Sequence, residues 1–308
     1  MARAIAAAAV GAAVAVTGSC GRGPAHRIPS VTVSGPAASA APSGPESAGA
    51  GGGPAVGALP RPDHLVVAVF ENKSYEALAG NAAAPYLNSL MKRAAVFTNA
   101  HGVAHPSQPN YLALFSGSTQ GVTDDHCPVD LKGRPNLGRQ LLDAGHTFAG
   151  YSEDLPRAGY RGCTSAGYAA KHNPWVDFDN VPPSANLPYS AFGSDYAKLP
   201  TLAFVVPNLC NDMHNCGVAT GDTWARSNLA PYLAWAEQHN SQLLVTFDEN
   251  DGSAGNQILT LFAGSGVNPG LYPESVDHYR VLRTVEAYYG LAPIGRAAQS
   301  APITDAWK

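Results

Sequence analysis

The sequence predicts an α/β protein, a three-layer α/β/α sandwich around a mainly parallel sheet. Two observations predict it. From Pro62 onward, short unbroken runs of β-branched, aliphatic and aromatic residues recur, the pattern of strands buried on both faces. Between them lie stretches with helical periodicity, and strands that alternate with helices build parallel sheets. His64 to Phe70 is the first such run. A helix is predicted over Pro85 to Ala94, with Tyr86, Leu87, Leu90 and Met91 on one face. Another is predicted over Asn136 to Ala144, stopped by Gly145 as a natural C-cap. Thr147 to Tyr151 reads as the next strand, and Leu202 to Val206, Leu243 to Phe247 and Ile258 to Phe262 read as three more. Thr223 to His239 and Asp277 to Tyr289 are the clearest amphipathic helices. Residues 152–200, rich in Gly, Pro, Ser and Tyr, are predicted to be loop-rich and surface-lying.

Composition narrows the function classes. With 45% hydrophobic residues the chain can fill a sizeable core, and a formal net charge of −4 gives no electrostatic reason to expect nucleic acid. The N-terminus reads as a targeting segment. Arg3 precedes an apolar run, Ile5 to Val16, long enough for a signal core and too short to span a bilayer. Thr17-Gly18-Ser19-Cys20 follows and resembles a bacterial lipobox, in which the cysteine is lipidated after cleavage; Thr17 departs from the usual Leu. Residues 1–20 are therefore expected to be a signal peptide with a lipobox, and residues 21–61 a disordered linker of Gly, Ala, Pro and Ser. The protein is expected to be exported, as a cell-surface lipoprotein anchored to the membrane through Cys20 or as a freely secreted protein.

The cysteine count agrees with export. Lipidation of Cys20 leaves four cysteines, in two groups: Cys210 with Cys216 closes a short loop, and Cys127 with Cys163 a longer one. No Cys-x-x-Cys pair occurs, which favours disulfides over a zinc site.

Ligands of open α/β sheets bind beyond the carboxyl ends of the strands. Two of the predicted strands end in polar pairs. The first runs into Glu71-Asn72, and Leu243 to Phe247 runs into Asp248-Glu249. Carboxylates directly behind buried strands are costly unless paired, solvated or bound to metal, and oxygen-rich groups suit a hard divalent cation. Asp248 to Gly252 is not an EF-hand, because its glycine comes one residue early and the terminal Glu is missing. Ser107, in His105-Pro106-Ser107-Gln108-Pro109-Asn110-Tyr111, precedes the helical run Leu112 to Phe115. A serine at a helix start either faces an anion near free N–H groups or simply caps the helix. His172, His214 and His278 stand in polar segments, where imidazole can contact phosphate, move a proton or ligate metal.

In order, Phe70-Glu71-Asn72-Lys73-Ser74-Tyr75, Pro85-Tyr86-Leu87-Asn88-Ser89-Leu90, the His105 to Gly117 segment, Lys171-His172-Asn173-Pro174-Trp175, Pro207-Asn208 with Asp212-Met213-His214, Thr246-Phe247-Asp248-Glu249 and His278-Tyr279 resemble the bacterial phosphoesterase family of secreted acid phosphatases and phospholipases C. That family lies within the alkaline-phosphatase-like superfamily. The series is closest in style to the small secreted acid phosphatases of actinobacteria. The resemblance implies an alkaline-phosphatase-like fold and makes residues 62–308 the phosphoesterase catalytic domain. It also implies that Ser107 is the nucleophile of a phosphate monoester hydrolase that forms a phosphoserine. Glu71, Asn72, Ser107, Asp248 and Glu249 are then the ligands of a divalent metal ion. His172 and His214 are implied as catalytic residues lining the phosphate pocket, and Asn110 and His278 as substrate-binding residues. The expected partner is a phosphorylated small molecule or a phospholipid headgroup. A phospholipase C-like phosphodiesterase and a non-enzymatic lipoprotein that binds a phosphorylated ligand are the alternatives. A sulfatase is disfavoured, because Ser107-Gln108-Pro109 is followed by Asn110 where x-Arg would be needed.

Overall fold

The computed structural model describes residues 59–308. The expected leader, Cys20 and all but the last residues of the expected linker lie outside the described residues. Ten strands and six helices follow in chain order: β1 (His64–Phe70), α1 (Tyr75–Leu78), α2 (Pro85–Met91), β2 (Ala95–His101), α3 (Ser107–Ser116), α4 (Leu137–Asp143), β3 (Phe148–Ser152), β4 (Thr164–Ser165), β5 (Tyr168–Ala169), β6 (Asn186–Pro188), β7 (Leu202–Val206), α5 (Val218–Ala236), β8 (Ser241–Phe247), β9 (Gln257–Gly264), β10 (Gly270–Asp277) and α6 (His278–Tyr288).

Eight of these strands form one sheet in the order β10-β2-β9-β8-β1-β7-β3-β6, and β4 pairs with β5 as a separate hairpin. Pairing is parallel throughout the large sheet except at β9, which runs against both β2 and β8. Strands β1, β7 and β8 are buried almost without break, as their unbroken apolar runs predict. The two faces carry different helices. Val67 of β1 lies beside Phe204 of β7, and Phe204 meets Phe115 of α3 edge-on at 5.8 Å. Phe70 lies three residues beyond Val67 and so points to the opposite face, where it meets Trp224 of α5 at 6.0 Å. This is the expected three-layer sandwich.

Local chemistry sets the helix ends. The Asn136 side chain accepts from Arg139 N at 2.8 Å to start α4, and Gly145, with φ of 81°, takes the left-handed position just past its end. Ala84 cannot cap α2, so Asp222 of α5 does it from outside, accepting from Tyr86 N at 3.0 Å and Leu87 N at 2.8 Å. Two expectations need correction. Segment 152–200 is irregular as predicted, but it does not lie on the surface: Trp175 and Phe178 in it are buried in the core. Its aromatic residues have more area to bury than its Gly and Pro content suggests. Helix α5 also begins at Val218, five residues before the predicted Thr223. Both disulfides form in the expected pairing, Cys127–Cys163 and Cys210–Cys216. Among the described residues, no helix is long and apolar enough to cross a membrane.

Candidate active site

Register brings the polar strand ends together. Phe70 and Phe247 close β1 and β8 side by side, and Asp248 N still donates to Phe70 O at 3.0 Å. Glu71 N donates to Asp212 O at 2.8 Å, which draws in the loop that follows β7. The loop after β2 closes over them at Gly102, where a Cβ would fall 2.8 Å from the Asp248 carbonyl oxygen. Glycine is needed there for the close approach.

Ser107 opens α3 as its first helical residue and is not the cap, a position held by Pro106 without any side-chain bond. Its hydroxyl is buried. The hydroxyl oxygen lies 2.9 Å from Glu71 Oε2 and 3.2 Å from Glu249 Oε1, with either carboxylate able to accept its single proton. His105 pairs with the other oxygen of Glu249. Gln108 N, free at the helix start, is capped by Asp125 Oδ1 at 3.0 Å. Asn110 is fully engaged with the loop before the helix: its oxygen accepts from Val103 N and Ala104 N, and its amide nitrogen donates to Ala104 O and Pro106 O. The amide thus shapes the Ser107 loop.

Four carboxylates crowd this volume. Glu71, Asp212, Asp248 and Glu249 are all buried. Burial, then the charges of Asp248 and Asp212, hold the Glu71 carboxyl well above the usual range. Burial and the neighbouring Glu249 do the same to Asp248. Burial pushes Asp212 up to about 7 and raises Glu249. Such a cluster is stable in its charged form only beside a cation. Asn72 Oδ1 and Asp248 Oδ2 are buried and have no hydrogen-bond partner. Ser107 Oγ, between the Glu71 and Glu249 carboxylates, adds further oxygen donors of the kind a hard divalent cation takes. Among the described residues, Glu71, His172 and His214 are the one grouping of three acidic or imidazole side chains whose ligand atoms all lie within 4.8 Å of one another. Its two imidazoles suit a borderline metal.

The histidines stand on the side of Glu71 away from Glu249. His172 stacks on Tyr111, with centroids 5.2 Å apart, and Tyr111 OH donates to Glu71 Oε1 at 2.5 Å. His172 Nε2 lies 3.2 Å from Glu71 Oε1 and its Nδ1 3.3 Å from Asp212 Oδ2, yet Nε2 completes no hydrogen bond. Burial, with Lys171 and His214 nearby, pushes this imidazole well below its ordinary range, so it is neutral. His214 pairs through Nδ1 with Asn215 Oδ1 at 2.7 Å, and Lys171 Nζ lies 3.2 Å from its Nε2. The Cys210–Cys216 disulfide brackets the turn that carries Asp212 and His214. Within it Met213 has φ of 78°, a left-handed conformation rare for a long side chain. Lys73 holds that turn to β1 by donating to Met213 O at 2.8 Å and Asn72 O at 3.1 Å. His278 lies behind the site, buried, with Nε2 against Asp248 O at 2.5 Å, where it supports the acidic pair.

The structure thus gathers Glu71, Asn72, Ser107, Asp248, Glu249, His172 and His214, and sets Asn110 and His278 in supporting positions. The sequence reading did not single out His105, Tyr111, Asp125, Lys171 or Asp212 as site residues. Tyr111 was within reach, because it lies one helical turn after Ser107 on the same face. The rest make contacts between segments far apart in the chain.

Comparison with known proteins settles the family. The profile of the Phosphoesterase family matches residues 80–292. This chain belongs to the Phosphoesterase family. The match starts after Glu71 and Asn72, which the geometry nonetheless adds to the site. The chain is 49% identical over 257 residues to the phosphatidylinositol-3-phosphatase of Mycobacterium tuberculosis, covering 83% of this chain and 86% of that protein. It is 34% identical over 249 residues to an acid phosphatase of Aspergillus fumigatus, covering 74% of this chain and 55% of the fungal one. The chain therefore spans little more than half of that fungal relative. Among solved structures it is similar to a Vibrio parahaemolyticus protein of the alkaline phosphatase superfamily, with TM-score 0.55, 14% identity, and 80% of this chain and 71% of that one covered. It is also similar to the lipoteichoic acid synthase LtaP of Listeria monocytogenes, with TM-score 0.57, 11% identity, and 82% and 78% covered. At these identities the two structures speak for the fold, which is alkaline-phosphatase-like.

Proposed function

We propose that this phosphoesterase is an exported phosphomonoesterase of the acid phosphatase type, in which Ser107 is the nucleophile and a phosphoserine the intermediate. The single observation that carries the reading is the position of the Ser107 hydroxyl, buried at a helix start and within hydrogen-bond distance of both Glu71 and Glu249. A divalent cation held by Glu71, Asn72, Ser107, Asp248 and Glu249 would supply positive charge that acidifies the hydroxyl and polarises the phosphoryl group.

The chain's own residues account for the remaining steps. Ser107 Oγ forms a bond to phosphorus while the ester P–O bond opposite it breaks. Glu71 and Glu249 are the acceptors in reach of the serine proton. His172 and His214 line the phosphate pocket, and the departing ester oxygen takes up a proton from water as it leaves as the free alcohol. Water then attacks the phosphorus of the phosphoserine, the P–Oγ bond breaks, inorganic phosphate leaves, and Oγ takes back the proton held by Glu71 or Glu249.

Relationship to the mycobacterial phosphatidylinositol-3-phosphatase supports a phosphoinositide carrying a 3-phosphate as a substrate. The apolar run before Cys20 and the paired remaining cysteines support export, with lipidation of Cys20 placing the enzyme at the membrane. A substrate panel tests the reading: an aryl phosphate, a phosphatidylinositol 3-phosphate vesicle and a phosphatidylcholine vesicle, each across pH with and without chelator. Chelator-sensitive release of phosphate from the two monoesters, with the diester untouched, is expected. Cleavage of the diester in preference to both monoesters would assign a phospholipase C instead.

A further inference from the structure

Lys171 stands immediately before His172 on the 3₁₀ turn Ala170–His172. Its ammonium donates to Asp125 Oδ2 at 2.8 Å and lies 3.2 Å from His214 Nε2. Since His214 Nδ1 is satisfied by the Asn215 side-chain oxygen, its Nε2 is left as the acceptor for Lys171. An ammonium has three N–H donors, so one of Lys171 remains uncommitted. The side chain is 19% exposed and therefore open to an incoming ligand. Asp125 uses its second oxygen on Gln108 N at 3.0 Å, one residue past the nucleophile. One carboxylate therefore ties the lysine to the start of the helix that carries Ser107.

Charge balance gives this arrangement a purpose. Four carboxylates line the site, a divalent cation offsets two of their charges, and a phosphate monoester brings about 1.5–2 further negative charges. The other basic groups nearby are already engaged. Lys73 directs its two bonds to the main-chain oxygens of Asn72 and Met213 and makes none to a side chain of the site, and His105 is paired with Glu249. Among the described residues, no arginine side chain bonds to the acidic cluster or to the two histidines. We propose, resting on the phosphatase reading above, that Lys171 is a substrate-binding residue. Its ammonium, aimed by Asp125 and seated against His214, contacts a non-bridging oxygen of the phosphoryl group.

Steady-state kinetics of Lys171→Met, Lys171→Arg and Asp125→Asn, with inorganic phosphate as competitive inhibitor, test this. Lys171→Met is expected to raise both KM for an aryl phosphate and the inhibition constant of phosphate by about 10–100-fold, the weight of one charge-assisted hydrogen bond. Metal content and melting temperature should stay close to wild type. Lys171→Arg should recover most of the loss, and Asp125→Asn should show a smaller rise of the same kind. An inhibition constant within twofold of wild type in Lys171→Met would overturn the assignment. So would an equal loss in the arginine variant, which would mark a purely structural role. If Lys171→Met does not fold, Lys171→Gln decides by the same two constants. The phosphatase reading stands or falls separately, because it needs Ser107 and not Lys171.

Discussion

Asp248 N donates to Phe70 O across 3.0 Å, so the pairing of β1 with β8 extends one residue beyond the end of β8. That bond sets the first residue after one strand against the last residue of the other. Asn72 N reaches the same aspartate, 3.3 Å from its Oδ1. The acidic pairs are thus held by sheet register, the stiffest positioning this fold offers, and the site geometry follows from two strands the sequence makes plain.

A metal prediction follows from this placement. Asp248→Asn keeps the shape of the side chain but removes its charge from the buried carboxylate cluster. Elemental analysis of the purified variant should show loss of bound divalent metal, together with a fall in kcat on the order of 10²-fold or more. Wild-type enzyme that is fully active without bound metal, and indifferent to chelator, would remove the metal from the account.

The support under His172 can be tested through the core. Gly150 of β3 faces Trp175, and a Cβ there would fall 2.0 Å from the indole Cε2. Trp175 is fixed by its Nε1, which donates to Asn186 Oδ1 at 2.9 Å, so the ring cannot easily yield. Gly150→Ala should cost about 1–3 kcal/mol or more by overpacking. Denaturant unfolding would measure the loss, and activity should fall at lower temperature than in wild type as the turn carrying His172 loosens. An unchanged unfolding midpoint would show that Trp175 is free to move.

Much of this organisation was legible in the sequence, and the parts that were not share physical reasons. Strands β1, β7 and β8 sit in mid-sheet, so their apolar runs are unbroken and readable. Strand β2 carries Thr98 half-buried and Asn99 exposed, and β10 is an edge strand with Pro273 and half of its residues exposed; neither shows an unbroken buried run. The reversed direction of β9 leaves no mark on residue pattern, because burial is the same either way. In the site, Glu71, Asn72, Ser107, Asp248 and Glu249 stood out by following strands or opening a helix. The bonds that join Asp125 to Gln108, Lys171 to Asp125 and His105 to Glu249 span segments that only the fold brings together.

A pH prediction rests on Asp177, a buried residue outside the metal cluster. Burial pushes its carboxyl up to about 7, against the partial relief of a bond from Gln108. A raised carboxyl pKa means the folded state holds the proton more tightly than the unfolded chain. Its contribution to stability is full below about pH 4 and is lost as pH rises to about 7. Asp177→Asn should therefore be more stable than wild type at pH 8, by an amount on the order of 1–3 kcal/mol, and should keep less than half of that advantage at pH 5. Unfolding curves at the two pH values check the sign; an advantage that is larger at pH 5 would contradict it.

The central claim is that Ser107 carries the phosphoryl group. Brief incubation of the enzyme with an aryl phosphate, an acid quench and peptide mass spectrometry measure it directly. One phosphoryl group is expected on the peptide containing Ser107 and none on that of Ser107→Ala, whose turnover should fall by a factor on the order of 10³ or more while its fold persists. A phosphoryl group trapped on another residue, or a folded Ser107→Ala variant that keeps more than about one per cent of wild-type turnover, would contradict the account.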